Sequence, residues 1–313
     1  MNRHQTGVVL VLVSALGFGA MAIFAKLAYR HGADTASLLT LRFLIAALVL
    51  WVIVAVRRRP RPDRRTVLAG AGLGLFGYSV QAGGYFAALR HLDASLTALL
   101  LYTYPAMVFV GAVALRRERA SVIKIGALGL AGVGLALVLL GGGTGSLNGT
   151  GVALAVGAAL AYTVYILVAD SVVGGADPFT LAAIVATGAF VSVGAYTVSA
   201  GGLHLDLDAV AWTALVSLSL VSTVLAMTAF FLGLDRVGPS TASIVSTVEP
   251  AWTVALAAVC FGERLGPVQL LGGAVVLGAV VVLQRRVGRV TAGAAPDHAA
   301  PAPAARPVAQ RTS

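Results

Sequence analysis

Long apolar segments fill this chain, and the pattern that they make occurs twice. Two stretches that lie 145 positions apart carry the same residue types at matching places. They are Ser95, Pro105, Ala106, Glu118 and Arg119 in the first stretch and Ser240, Pro250, Ala251, Glu263 and Arg264 in the second. About 20 apolar residues in helical form cross the roughly 30 Å hydrocarbon core of a bilayer. The pattern therefore predicts a duplicated bundle of membrane-spanning helices.

These segments leave little room for a soluble domain. Apolar residues make up 58% of the chain and charged residues 11%, which is unlike a soluble globular domain. The first repeat is predicted at residues 7–140 and the second at 150–284, and the Ala/Pro-rich residues 285–313 are expected to form a disordered cytoplasmic tail. The ten predicted segments are 7–29, 36–56, 66–88, 94–115, 121–140, 150–170, 178–200, 209–233, 239–261 and 266–284.

Lys and Arg residues indicate how the segments are oriented, because cytoplasmic loops carry an excess of them. If the N-terminus is inside, the outer loops hold only Arg30, Arg90 and Arg264, and clusters at 57–65 and 116–124 face the cytoplasm. Both termini are thus expected to be cytoplasmic, in a plasma or inner membrane. Five spans per repeat is an odd number, so the second repeat enters from the opposite side. The predicted fold is an all-α integral membrane protein with ten transmembrane helices in two inverted five-helix repeats.

Several other classes of protein are disfavoured by composition and motifs. The net charge of +10 does not indicate nucleic-acid binding, because the Arg residues lie in short loops rather than along one helical face. One cysteine, Cys260, excludes an intramolecular disulfide and a Cys-based metal site. The H-E-x-x-H motif of metalloproteases is absent, and an aspartyl protease needs two deep acids where this chain offers one. We expect no cofactor, no metal and no catalytic residue.

Two prolines occupy matching depths near the middle of the fourth and ninth segments. Pro105 and Pro250 each remove a backbone donor and free the carbonyl four residues earlier, at Leu101 and Ser246. Such groups are tolerated in a membrane only where protein or water satisfies them. A single proline indicates no more than a packing kink. The symmetric pair favours two kinked helices that line a cavity.

A charged acidic side chain deep in a membrane span costs free energy. Glu249 is the one acid near the predicted midplane. It belongs to a polar stripe with Ser243, Ser246 and Thr253, whose spacing of three and four places them on one helical face. One interpretation is a carboxyl that is hydrogen-bonded to neighbouring hydroxyls. The other is a group that handles substrate or protons.

Aromatic residues form two further stripes. Tyr78, Gln81 and Tyr85 share a face of the third segment, and Tyr162 and Tyr165 share a face of the sixth. Buried tyrosines commonly serve packing. The Gln81 amide needs partners that lipid cannot give, which favours a cavity.

Two cationic side chains also fall inside predicted spans. Lys26 lies near the end of the first segment, and Arg42 lies about two turns into the second. Long basic side chains can extend along a helix to place their charge among the lipid headgroups. Both residues are expected to do so.

Several sequence segments of this chain also resemble those of a known family. Leu41-Arg42-Phe43, the run from Tyr85 through Pro105 to Arg119, and the run from Val248 to Arg264 are similar to the two repeats of the EamA-like branch of the drug/metabolite transporter superfamily. The resemblance implies a central cavity lined by spans of both halves, with the fifth and tenth spans peripheral. It implies a structural, loop-side role for the Glu that closes the fourth and ninth spans, here Glu118 and Glu263.

Together these features predict a secondary-active transporter that exports amino acids, metabolites or small toxic compounds by alternating access. Proton antiport through Glu249 is one option, although the first repeat has Tyr104 at the position of Glu249. The alternatives are an uncoupled facilitator or importer and, from another class, a membrane-embedded enzyme. The expected partners are a small-molecule substrate, protons and the bilayer, and both monomer and homodimer remain open. The candidate substrate-binding residues are Tyr78, Gln81, Tyr85, Tyr104, Tyr162, Tyr165, Ser246 and Glu249.

Overall fold

Helices joined by short loops, with no strand, form the described part of a computed structural model, which comprises residues 2–117, 121–140, 148–172 and 176–292. The helices are α1 (Arg3–Gly19), α2 (Met21–Arg30), α3 (Thr35–Val56), α4 (Arg64–Gly72), α5 (Ser79–Ala88), α6 (Ala94–Leu101), α7 (Tyr104–Ala114), α8 (Val122–Leu140), α9 (Gly149–Val172), α10 (Pro178–Ser199), α11 (Ala209–Ser219), α12 (Ala226–Ser246), α13 (Val248–Phe261) and α14 (Pro267–Ala292). Two π-helical segments, Leu73–Tyr78 and Leu220–Leu225, join α4 to α5 and α11 to α12.

Many of these helices are long and apolar enough to cross a membrane. Six such spans are Arg3–Arg30, Thr35–Val56, Ala94–Ala114, Gly149–Ala169, Pro178–Ser199 and Ala209–Gly238. Three shorter apolar helices are Ile125–Val138, Val248–Phe261 and Pro267–Val282. The protein is therefore an all-helical, multi-pass membrane protein.

The helix boundaries follow the predicted segments within a few residues, with differences near the C-terminal end. Helix α12 contains Gly238 with φ 76° and ψ 166°, so two helices meet there without a loop between them. Glycine adopts this left-handed conformation without steric cost. Helix α14 continues to Ala292, past the predicted end at 284, and the rest of the predicted tail lies outside the described residues.

Both midplane prolines lie just after a break in a helix. Helix α6 ends at Leu101, and α7 begins at Tyr104 with Pro105 in its first turn. Helix α12 ends at Ser246, and α13 begins at Val248 with Pro250 as its third residue. Proline fits the first turn of a helix because the amide that it lacks has no intrahelical partner there. The two breaks interrupt an apolar helix at matching positions in both halves of the chain.

The two π-helical segments are also related by the repeat. Each lies inside the third helical span of its half, and the sequence pattern gave no indication of either. A π-helix widens the helix by one residue per turn and occurs often at functional sites. It also turns the following residues to a new face, which changes which side chains point into the bundle.

Helices of the first half, residues 7–140, pack mainly against helices of the second half, residues 150–284. The closest pairings are α1 with α12, α3 with α10, α5 with α9 and α8 with α14. Where α8 meets α14, a Cβ added to Gly134 would lie 2.8 Å from the Gly272 carbonyl oxygen, so the two backbones touch. The hydrophobic core around Phe43 and Phe86 lies between the halves, and both side chains are fully buried.

Candidate functional site

Glu249 is hydrogen-bonded across the two helix breaks. The Tyr102 hydroxyl, at the break between α6 and α7, lies 2.9 Å from Glu249 Oε2 and 3.2 Å from the Ser246 carbonyl oxygen. That carbonyl is the one that Pro250 frees, because proline cannot donate to it. A side chain of the first half thus lies within hydrogen-bond distance of both the acid and the broken backbone of the second half.

Two other residues of the polar stripe, Ser246 at the end of α12 and Thr253 on α13, donate their hydroxyls to backbone carbonyls, and the side chain of Ser243 lies outside the described residues. The Ser246 hydroxyl donates to the Ala242 carbonyl at 2.9 Å. The Thr253 hydroxyl donates to the Gly19 carbonyl of α1 at 2.9 Å. The partner that binds Glu249 is Tyr102, which sequence reasoning missed. Its position beside the break, three residues before Pro105, was the available signal.

The predicted tyrosines form a continuous row of rings that starts at Tyr102. Neighbouring rings in the row are in contact, and some of them are stacked or edge-on. The centroid distances are 5.9 Å for Tyr102–Tyr104, 4.6 Å for Tyr104–Tyr162, 5.9 Å for Tyr162–Tyr165, 5.9 Å for Tyr165–Tyr78 and 5.5 Å for Tyr78–Phe43. Tyr104, which replaces Glu249 in the first repeat, therefore belongs to the same site as Glu249.

Gln81 and Tyr85 lie beside this row. Gln81 is 8% exposed, and within the described part of the chain its amide makes no hydrogen bond. Tyr85 is 5% exposed, and its ring lies 5.8 Å from that of Phe86, over which the Arg42 guanidinium also lies. The structure thus brings Tyr78, Tyr104, Tyr162, Tyr165, Ser246 and Glu249 together through Tyr102, and Gln81 and Tyr85 are buried on α5.

Neither Lys26 nor Arg42 extends to the headgroups as expected. Arg42 is 1% exposed, and its guanidinium lies over the Phe43 and Phe86 rings at 5.3 Å and 5.0 Å. Lys26 instead turns to Glu263, with 2.9 Å between Nζ and Oε1. Pairing and ring contacts within the protein replace the interaction with lipid headgroups in both cases.

Glu263 joins the two halves at the N-terminal end of α6. Its carboxylate accepts hydrogen bonds from the amides of Ala94 and Ser95 at 3.0 Å each, and from the Ser95 hydroxyl at 2.9 Å. It thereby caps α6, whose own N-cap residue Asp93 makes no side-chain cap. Burial acts to raise the pKa of the Glu263 carboxyl, but the two amides and the Lys26 ammonium hold it below its usual value. Glu118, its counterpart in the first repeat, lies outside the described residues.

Two histidine–carboxylate pairs also connect the two halves of the chain. His31 Nδ1 lies 2.6 Å from Asp208 Oδ2, and His204 Nδ1 lies 3.1 Å from Asp34 Oδ2. Each pair joins a residue of the first half to one of the second. The Ala211 amide and His31 lower the pKa of Asp208, which favours the charged form of that carboxylate.

A separate groove of about 620 Å³ opens on the outer surface of the bundle. It lies between the third and sixth spans, and its walls include Phe76, Val80, Leu160 and Val164. These side chains are apolar and exposed, so the groove faces the lipid. Of the predicted site residues, Tyr165 reaches it. The polar side chains of the candidate site, Glu249 and most of the tyrosine row, do not line this groove.

Comparison with known proteins agrees with this architecture. The model of the EamA-like transporter family matches residues 5–140 and again 149–285. A Bacillus subtilis protein described as the uncharacterized transporter YcbK is 26% identical over 283 residues, which covers 87% of this chain and 90% of that protein. An uncharacterized transporter of Archaeoglobus fulgidus is 28% identical over 277 residues, covering 88% of this chain and 95% of its own. One crystal structure superposes with a TM-score of 0.64 at 19% identity, over 90% of this chain and 99% of that one, which shows a shared fold.

These observations define a multi-pass membrane transporter whose sequence contains the family pattern twice. The chain belongs to the EamA-like transporter family.

Proposed function

We propose that the protein is a secondary-active exporter of small molecules that works by alternating access. In this proposal ten spans form two inverted five-helix repeats, and both termini lie in the cytoplasm at a plasma or inner membrane. The double family match, the paired proline breaks and the paired π-helical segments support the repeat. The distribution of Lys and Arg supports the orientation.

The observation that carries the proposal is the contact between Tyr102 and Glu249. It joins the two halves at the point where both helices are broken, and it involves the one acid near the midplane. Intramembrane acids usually lie on substrate or proton pathways. Substrate is proposed to bind among the tyrosine row, Gln81 and Ser246, beside that acid.

Protonation of Glu249 would change how the two halves hold together. An ionised carboxylate accepts a strong hydrogen bond from the Tyr102 hydroxyl, whereas a protonated one gains a donor and loses charge. Each proton that moves inward supplies about 2.3 kcal/mol per 100 mV. That energy can drive export if protons and substrate bind the same site in turn. To open outward, the halves must also release the outer contacts that Glu263 makes.

The test uses proteoliposomes that contain the purified protein. A panel of amino acids, nucleosides and cationic drugs is loaded, and efflux is measured with and without an imposed pH gradient. Efflux of one class that accelerates with the gradient supports the exporter. An efflux rate that is the same with and without the gradient supports the uncoupled facilitator. Uptake that the gradient drives supports an importer. No movement of any compound would contradict a transport function.

A further inference from the structure

Arg42 is a buried cation whose charge no acidic side chain neutralises within the described part of the chain. Its side chain is 1% exposed, and its Nε donates to the Thr223 hydroxyl at 3.0 Å. Its Nη2 is buried and has no hydrogen-bond partner among the residues that the structure describes. A guanidinium has five donors in a planar fork, so much of its capacity is left unused here.

Lys26 provides the contrast within the same protein. Its ammonium lies in the outer part of the bundle and has two carboxylates nearby, Glu263 at 2.9 Å and Asp93 at 3.6 Å. Arg42 is the more deeply buried of the two cations, and it has none. A buried charge without a counter-ion is costly, because the low-dielectric interior does not replace water. A group that serves only packing would be paired as Lys26 is.

Arg42 also lies between the two unusual backbone segments. Thr223, its hydrogen-bond partner, belongs to the π-helical segment Leu220–Leu225, and Tyr78, which ends the segment Leu73–Tyr78, has its ring 5.5 Å from that of Phe43, over which the guanidinium lies. The Ser222 hydroxyl beside Thr223 is buried and likewise lacks a partner within the described residues. Arg42 of the first half is thus bonded to the second half through Thr223, and its Nη2 is left without a partner among the described residues.

We propose that Arg42 binds a carboxylate of the transported molecule. Its Nη2 has no partner among the described residues and can donate a charge-assisted hydrogen bond to a carboxylate oxygen, and the Phe43 and Phe86 rings lie against the guanidinium. The Phe43 ring lies 5.5 Å from that of Tyr78, at the end of the tyrosine row that leads to Tyr102 and Glu249, so the rest of such a molecule lies along that row with its far end toward the acid. This proposal rests on the proposed transport function, and it excludes purely cationic drugs as preferred substrates.

The experiment measures thermal stabilisation of the purified full-length protein in detergent. The probes are L-amino acids with aromatic and aliphatic side chains, compared with their methyl esters, which keep the side chain and lack the carboxylate. A ligand that binds the folded state raises its apparent stability. We expect at least one amino acid to stabilise the protein and its ester to bind about 10- to 100-fold more weakly, as for loss of a charge-assisted hydrogen bond. Binding in detergent does not require transport, so the result is independent of the efflux assay.

Three variants separate a binding role from a packing role. Arg42→Gln should lower the affinity for the amino acid about 10- to 100-fold and leave that for the ester unchanged. Arg42→Lys should retain part of the affinity, because it keeps the charge without the fork. Arg61→Gln, at an exposed cytoplasmic position, should have no effect.

Equal stabilisation by acid and ester in the wild-type protein would overturn the proposal, and so would stabilisation by cationic drugs alone. If Arg42→Gln does not fold, the wild-type comparison and Arg42→Lys still decide the question.

Discussion

At the scale of single residues, Tyr102 connects the two broken helices by hydrogen bonding. Its hydroxyl, which has one proton to donate, lies within hydrogen-bond distance of both the Glu249 carboxylate and the carbonyl that Pro250 releases. The consequence of each proline was predictable from the sequence, because the missing amide always frees the carbonyl four residues earlier. The partner was not predictable. It comes from the other half of the chain, and local spacing contains no information about that contact.

Replacement of Tyr102 by Phe removes this hydroxyl and keeps the ring. We expect the free energy of unfolding to fall by about 1–3 kcal/mol, because a buried carboxyl and a buried carbonyl both lose their donor. Tyr196→Phe is the matched control, since that side chain is 64% exposed. Thermal unfolding of both variants in detergent measures the effect. Equal melting temperatures for the two variants would show that water satisfies the site without Tyr102.

At the scale of helices, the sequence predicted the segments and their proline breaks but neither π-helical segment. Apolar periodicity indicates where a helix lies, and it does not report one extra residue in a turn. In the second segment the Thr223 hydroxyl donates to the Leu218 carbonyl five residues earlier, at 3.1 Å, and accepts from Arg42. Tertiary contacts of this kind hold such a turn, which is why the pattern along one helix does not show it.

The cap that Glu263 provides to α6 gives a second prediction. Glu263→Gln should lower the free energy of unfolding by about 1–3 kcal/mol, because it removes a charged cap and the partner of Lys26. The exposed pair Arg3–Asp235, whose side chains are 77% and 75% exposed, is the control, and Asp235→Asn should change little. Chemical denaturation in detergent can measure both.

The same carboxylate predicts a dependence on pH. The folded protein lowers the pKa of Glu263 below its ordinary value of 4.5. Its contribution is therefore fully present above pH 4.5 and is lost as the pH falls through the lowered pKa. The difference in melting temperature between the wild-type protein and Glu263→Gln should shrink as the solution is acidified. A difference that stays constant with pH would contradict the assignment.

At the scale of the whole molecule, the inverted repeat predicts which loops face which side. In a Cys260→Ser background, Pro60→Cys should react with a membrane-impermeant thiol reagent only after the cells are opened. Asp206→Cys, in the loop before α11, should react in intact cells. The excess of Arg in the loop around Pro60 is the physical reason. Labelling of both positions from the same side would contradict the arrangement.

The central claim is that protonation of Glu249 couples the two halves to the proton gradient. Glu249→Gln keeps the size of the side chain and can still accept a hydrogen bond from Tyr102, but it cannot titrate. The measurement is efflux from proteoliposomes with and without a pH gradient, with Asp206→Asn as a control for loss of an exposed carboxylate. The account predicts that Glu249→Gln exchanges substrate across the membrane without a gradient and gains no rate when one is imposed. Full gradient-driven efflux by Glu249→Gln would contradict it.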